Sequence, residues 1–160
     1  MSCRRTLPIT IIFVLGVIGF AIAADNDSHQ VTVTVSAINE MAVSGGDIEL
    51  TINSATAGSQ PNDETDATTG LAWTTNEATK KITAETDNAA PTYTLKVLAS
   101  AVTGGGSAAA QLTLSTTPGD YVTGIGETIG TCTSTYTASA TAAQGTGADV
   151  HNVTFTITAE

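Results

Sequence analysis

Positive charge is nearly missing from this sequence: five Lys and Arg stand against fifteen Asp and Glu in 160 residues. Two of the five, Arg4 and Arg5, lie ahead of everything else, so from Asp25 onward only Lys80, Lys81 and Lys96 remain and the net charge is −12. Holding phosphates needs clustered Lys and Arg, so nucleic acid is not an expected partner, and an anionic lipid surface is disfavoured for the same reason. The acidic excess favours solubility and mutual repulsion. Cysteine is as scarce. Past residue 24 only Cys132 is left, which excludes an internal disulfide framework and leaves stability to packing and assembly. Cys132 reads as a small buried residue on a strand. Aromatic residues make up 4% of the chain, with Trp73 the sole tryptophan. That weakens a sugar-stacking reading and favours Trp73 as a core residue. No second long apolar run follows the one near the start, so no membrane span is expected past residue 24.

That first apolar run has the parts of a secretory signal peptide. Arg4 and Arg5 form a basic lead, residues 9–20 are almost wholly apolar, and Ala21-Ile22-Ala23-Ala24 supplies small residues at a cleavage site. The run is short for a span, which needs about 20 residues, and Cys3 precedes it and so does not sit at a lipidation site. Residues 1–24 are therefore expected to be removed. The remainder is expected to be secreted, in the extracellular space or on a cell surface.

What the chain has in abundance is threonine, 31 residues of it, arranged in alternation with apolar residues. Val31, Val33 and Val35 alternate with Thr32 and Thr34; Ile48, Leu50 and Ile52 with Glu49 and Thr51; Tyr93, Leu95 and Val97 with Thr94 and Lys96; Val153, Phe155 and Ile157 with Thr154 and Thr156. Leu112 and Leu114 flank Thr113 in the same way. A period of two with one apolar face predicts half-buried strands. Weaker strand signals cover 71–75, 81–86, 121–123 and 130–140. Breakers separate them: Ser44-Gly45-Gly46-Asp47, a long polar loop from Ala57 to about Gly70, Asp87 to Pro91, Gly104 to Ser107, Thr117 to Asp120, and Gln144 to Gly147. Eight or nine short strands with such punctuation predict an all-β antiparallel sandwich or barrel. Only 76–81 is permissive for a turn of helix.

The chemistry-bearing residues form no strong motif. His29 and His151 each precede a strand, without acidic or Cys neighbours at metal-ligand spacing. Asp63, Glu64 and Asp66 place oxygen ligands in a loop and are weak Ca²⁺ candidates, though without the spacing of a calcium-binding helix-loop-helix. Gly105-Gly106-Ser107 lacks the second half of a nucleophile elbow. Asn26 and Asn152 each begin an N-x-[ST] triplet. No catalytic residue, resident metal or cofactor is assigned.

The strand expected within residues 25–37 has two fates. It completes its own sheet, or it completes a neighbour's, where main-chain hydrogen bonds give affinity and pockets for alternate side chains give specificity. Its Val31-Thr32-Val33-Thr34-Val35-Ser36-Ala37 resembles the start of secreted fimbrial subunits of the alpha-type and spore-coat-U-like groups. Thr75 to Ile82 looks like a stretch seen in alpha-type fimbriae, and Val153 to Thr158 resembles the closing strand of pilins. The resemblance implies an immunoglobulin-like Greek-key sandwich over 38–160 that polymerises by strand donation. Val31, Val33 and Val35 would then be the donor residues, and Val153, Phe155 and Ile157 the closing strand. The expected function is an exported structural subunit of a filament, pilus or surface layer, self-associating with or without an assembly factor. A monomeric binding module for carbohydrate or calcium is the first alternative and an exported hydrolase the second.

Overall fold

The computed structural model describes residues 25–160; the expected signal peptide, 1–24, lies outside them. The chain divides into two units, 1–34 and 35–160. In the first, residues 25–34 form no strand and are exposed throughout. The second is all-β. It comprises β1 (Asn39–Ser44), β2 (Glu64–Thr75), β3 (Lys80–Thr86), β4 (Thr94–Ser100), β5 (Ser107–Ala108), β6 (Leu112–Thr113), β7 (Gly119–Ile125), β8 (Thr128–Ser139) and β9 (Val153–Ala159). A single 3-10 turn, Ala142–Gln144, is the one helical element among the described residues. No helix there is long and apolar enough to cross a membrane.

The strands form two antiparallel sheets. One has five strands in the order β1-β2-β8-β4-β6; the other has four, β5-β7-β3-β9. Alternation decides which side of each strand is dry. On β2, Leu71, Trp73 and Thr75 are buried; on β3, Ile82, Ala84 and Thr86; on β8, Gly130, Cys132, Ser134 and Tyr136. The threonines between them mostly face outward, where a β-branched side chain suits the pleat. These inner faces join Val97, Ala99, Leu114, Val122, Ile125 and Phe155 in one core, giving a sandwich-like packing of one sheet on the other. On β7 both Tyr121 and Val122 are buried. The break in alternation falls where the β3–β7 register shifts near Ile82, as an irregular ladder requires.

One polar group is carried into this core with its partner. The Tyr121 hydroxyl donates to Ser134 Oγ at 2.7 Å, and its ring lies 5.0 Å from that of Phe155. Cys132 is buried beside it and free, and burial pushes its thiol above the usual range, which makes it an inert core residue. Burial likewise pushes the Tyr136 phenol up to about 12.

Three expectations change. The loop expected from Ala57 to Gly70 ends early, because β2 starts at Glu64 and pairs with Ala138 and Thr137 of β8 across a bulge between Asp66 and Thr69. Its Thr- and Ala-rich sequence has no apolar stripe to announce it. Residues 76–81 make no helical turn. Residues 76–79 carry the chain from one sheet to the other and 80–81 open β3, with Thr79 at φ 59 and Lys80 paired to Glu77 at 3.0 Å. Most consequential, Ile48, Leu50 and Ile52 are half-buried and alternate as expected, yet residues 46–54 belong to no strand.

Candidate functional site

Val31 and Val33 are 70% and 82% exposed, and Val35, which opens the second unit, is 73% exposed. Thr32 and Thr34 between them are exposed too, so neither side of this segment is covered. The strand expected here does not complete a sheet of its own chain: residues 26–38 carry no strand assignment. Its C-terminal end is nevertheless fixed. Asn76 donates from Nδ2 to the Ser36 carbonyl at 2.8 Å and from its backbone N–H to the Ile38 carbonyl, and its Oδ1 accepts from the Ile38 N–H at 2.7 Å. Isolated exposed valines are ordinary; three in strict alternation are an unpartnered apolar edge.

Within the second unit lies a groove of about 1140 Å³. Ile48, Leu50, Ile52, Tyr136, Val153 and Phe155 line it with apolar surface, and Asp47, Glu49, Asp149 and His151 add polar groups. Thr69, 3% exposed, also lines it, and its hydroxyl has no hydrogen-bond partner among the described residues. Residues 46–53 make no backbone–backbone hydrogen bond among the described residues; the neighbouring Ser54 carbonyl accepts from Asn62. The two glycines that lead in, Gly45 and Gly46, sit at φ 111 and 83, a region costly for any side chain, and turn the chain out of β1. On the other sheet β9 is the terminal strand. It presents Val153, Phe155 and Ile157 inward and Thr154 and Thr156 outward.

Carboxylates pin the loop that leads into β9. Asp149 accepts from the Tyr93 N–H at 2.8 Å, and this bond is the main reason its carboxyl lies below the ordinary range. Asp87 accepts from the side chain and the N–H of Asn152, which lower it in the same way. His151 Nδ1 lies 3.1 Å from Thr86 Oγ. A carboxylate depressed on folding stabilises above its unfolded pKa and loses that contribution as pH falls through the folded value. The segment 149–152 is therefore expected to loosen only below about pH 4, the ordinary carboxylate range. Protection factors of the Tyr93 and Asn152 amides, taken against the intrinsic exchange rate at each pH from 6 to 3, would fall at the acid end, and flat protection factors would contradict it.

Asp66 turns onto Thr68, accepting from its N–H at 2.8 Å and its hydroxyl at 2.7 Å, which lowers its pKa. Asp63 and Glu64 are exposed, and no group of three or more His, Cys, Asp or Glu side chains able to hold a metal ion occurs among the described residues. Trp73 is 2% exposed, a core residue as expected, not a stacking platform. His29 is exposed. Ser107 opens β5. The groove itself escaped sequence reasoning. Its one signal was the Ile48, Leu50 and Ile52 alternation, which reads the same whether or not the strand has a neighbour. No protein-family model, curated protein or solved structure matches the chain.

Proposed function

We propose that this chain is an exported structural subunit that assembles into a homopolymer by strand donation, with Val31, Val33 and Val35 as the donor residues. The observation that carries this reading is the alternating, largely exposed set of three valines just ahead of a tethered point at Ser36–Ile38. Burying each valine is worth about 1.5–3 kcal/mol before ordering costs, and strand addition brings main-chain hydrogen bonds with it. A donor at one place and an acceptor elsewhere on the same molecule makes a head-to-tail contact, which grows into an open filament unless it closes a ring. Removal of 1–24 would free the segment for this use. The two sheets, with β8 between β2 and β4 and β3 between β7 and β9, support an immunoglobulin-like Greek-key arrangement. The low content of Lys also leaves few charges to block open strand edges, a problem that pairing between subunits would remove.

The experiment is negative-stain electron microscopy with light scattering on the full-length gene product as its host processes and releases it. Regular filaments are expected. A monomer that stays monomeric at millimolar concentration, with or without its host's assembly factors, would overturn the reading.

A further inference from the structure

β1 forms the long, unguarded edge of the five-stranded sheet. We propose that β1 of a second copy pairs with it, antiparallel about a twofold axis at Met41, so that two five-stranded sheets run on as one and neighbouring filaments are joined side by side. This rests on the assembly reading above for its strength and adds a lateral contact that uses none of the donor residues.

The edge lacks the devices that usually block one. At the other end of the sheet β6 is two residues long. β1 is six, Asn39-Glu40-Met41-Ala42-Val43-Ser44, with no Lys, no Pro and an unbroken register against β2. Short strands, Lys, Pro and bulges are how proteins keep an edge from pairing with another chain. The hydrogen-bond phase of β1 follows from Asn76. Its N–H donates to the Ile38 carbonyl, and its Oδ1 accepts from the Ile38 N–H. Ile38 and, by alternation, Glu40, Ala42 and Ser44 therefore bond toward β2. Asn39, Met41 and Val43 turn their N–H and C=O groups the other way, and no bond from elsewhere in the described residues reaches them. Such groups are obligatory hydrogen-bonding groups. The strand is also held in place beforehand, because the Thr75 hydroxyl donates to Asn39 Oδ1 at 2.8 Å, so pairing costs little ordering.

The occupant is a second copy because the edge is complementary to itself. Setting Met41 against its twin sets Asn39 against Val43, and all the outward main-chain groups of both strands are satisfied. Glu40 then lies opposite Ala42. An axis at Glu40 would set two carboxylates directly against each other, which is unfavourable, and an axis at Ala42 would leave Asn39 beyond the partner's strand. Main-chain bonds with little apolar burial make one such joint weak. Where filaments lie alongside each other, several joints act together and avidity holds them.

Glu40 and Ala42 face each other across this joint as a non-hydrogen-bonded pair, with Cα atoms about 4.5 Å apart, within disulfide reach. Two full-length chains in a Cys3→Ser, Cys132→Ala background, one with Glu40→Cys and the other with Ala42→Cys, would be mixed, assembled and oxidised. A disulfide-linked dimer is expected in the mixture and in neither chain alone. In assembled parent protein, amide exchange at Asn39, Met41 and Val43 is expected to slow tenfold or more against the dilute monomer, with Glu40, Ala42 and Ser44, already bonded to β2, changing far less.

A link in the Ala42→Cys chain alone would move the axis to residue 42 and overturn this register. Filaments with no link and unchanged exchange on β1 would overturn the lateral joint and leave strand donation standing. Links without filaments would leave the β1 joint standing and overturn strand donation. If nothing assembles and nothing links, both fall.

Discussion

Replacing Val33 by Asp is expected to abolish assembly while leaving the melting temperature of the monomer unchanged. Val33 is 82% exposed. A substitution at such a surface position normally shifts stability by no more than about 0.5 kcal/mol. In the assembled state that strand donation would produce, the same position would be buried against the sheet of a neighbouring copy. There the change removes about 1.5–3 kcal/mol of valine burial and asks a carboxylate to leave water, a further penalty of several kcal/mol. A combined loss of about 5 kcal/mol per joint is more than a thousandfold in the association constant. Thr34→Asp is the control. It alters the same segment by the same charge, but on the side expected to face solvent, and should weaken assembly by no more than about tenfold. Light scattering reads assembly and a thermal melt reads the fold. If Val33→Asp assembles as the parent does, the valines are not the joint.

The strands that could be read from the sequence are those whose neighbours impose one wet face and one dry face. β3, β4 and β9 were visible because apolar and polar residues alternate around Ile82, from Tyr93 to Val97 and from Val153 to Ile157. The first half of β2 was not, because Glu64, Thr65 and Asp66 have no apolar residue among them, and they are held by pairing to Ala138, Thr137 and Tyr136, a tertiary fact. The opposite error came at 47–53. Alternation reports which side of a segment is dry and says nothing about whether its backbone has a partner, so Ile48, Leu50 and Ile52 look like a paired strand in sequence and line a groove in the fold. The same limit holds for Val31, Val33 and Val35, which follow a short acidic tail after the expected cleavage site: alternation left open whether their own chain covers them, and only the fold shows them exposed. Trp73 was legible as core, but the residue that makes room for it, Gly130, was not. Only the register of β2 against β8 brings the two together.

That pair gives the largest expected effect on stability. Gly130 lies directly across from Trp73, and its backbone has no positive φ, so its role is space and not conformational freedom. A Cβ built there would lie 2.6 Å from the indole Nε1 and overlap Cε2 and Cζ2 of the same ring. Trp73 is one of the largest fully buried side chains, so the ring has no open space to move into. Overpacking of a well-filled core costs about 1–3 kcal/mol and sometimes more. With a rigid ring on one side and a central strand on the other, Gly130→Ala is placed at the upper end, about 3 kcal/mol, or a fall of about 10 °C in Tm for a domain of this size. Gly126→Ala supplies the contrast, since a Cβ there meets nothing within 4 Å and its φ is ordinary; it should be neutral. Trp73 is the only tryptophan, so its fluorescence reports the melt and the local displacement together in the variants that keep it, and circular dichroism reads the melt in those that do not. The decisive comparison is the double variant. Trp73→Leu alone leaves a cavity and costs about 3 kcal/mol, but in the Gly130→Ala background the smaller side chain relieves the overlap that the alanine creates. The two costs should therefore fall short of additivity by more than 1 kcal/mol, as expected for residues in contact. Strict additivity would mean that Gly130 is needed for something other than the indole that lies over it.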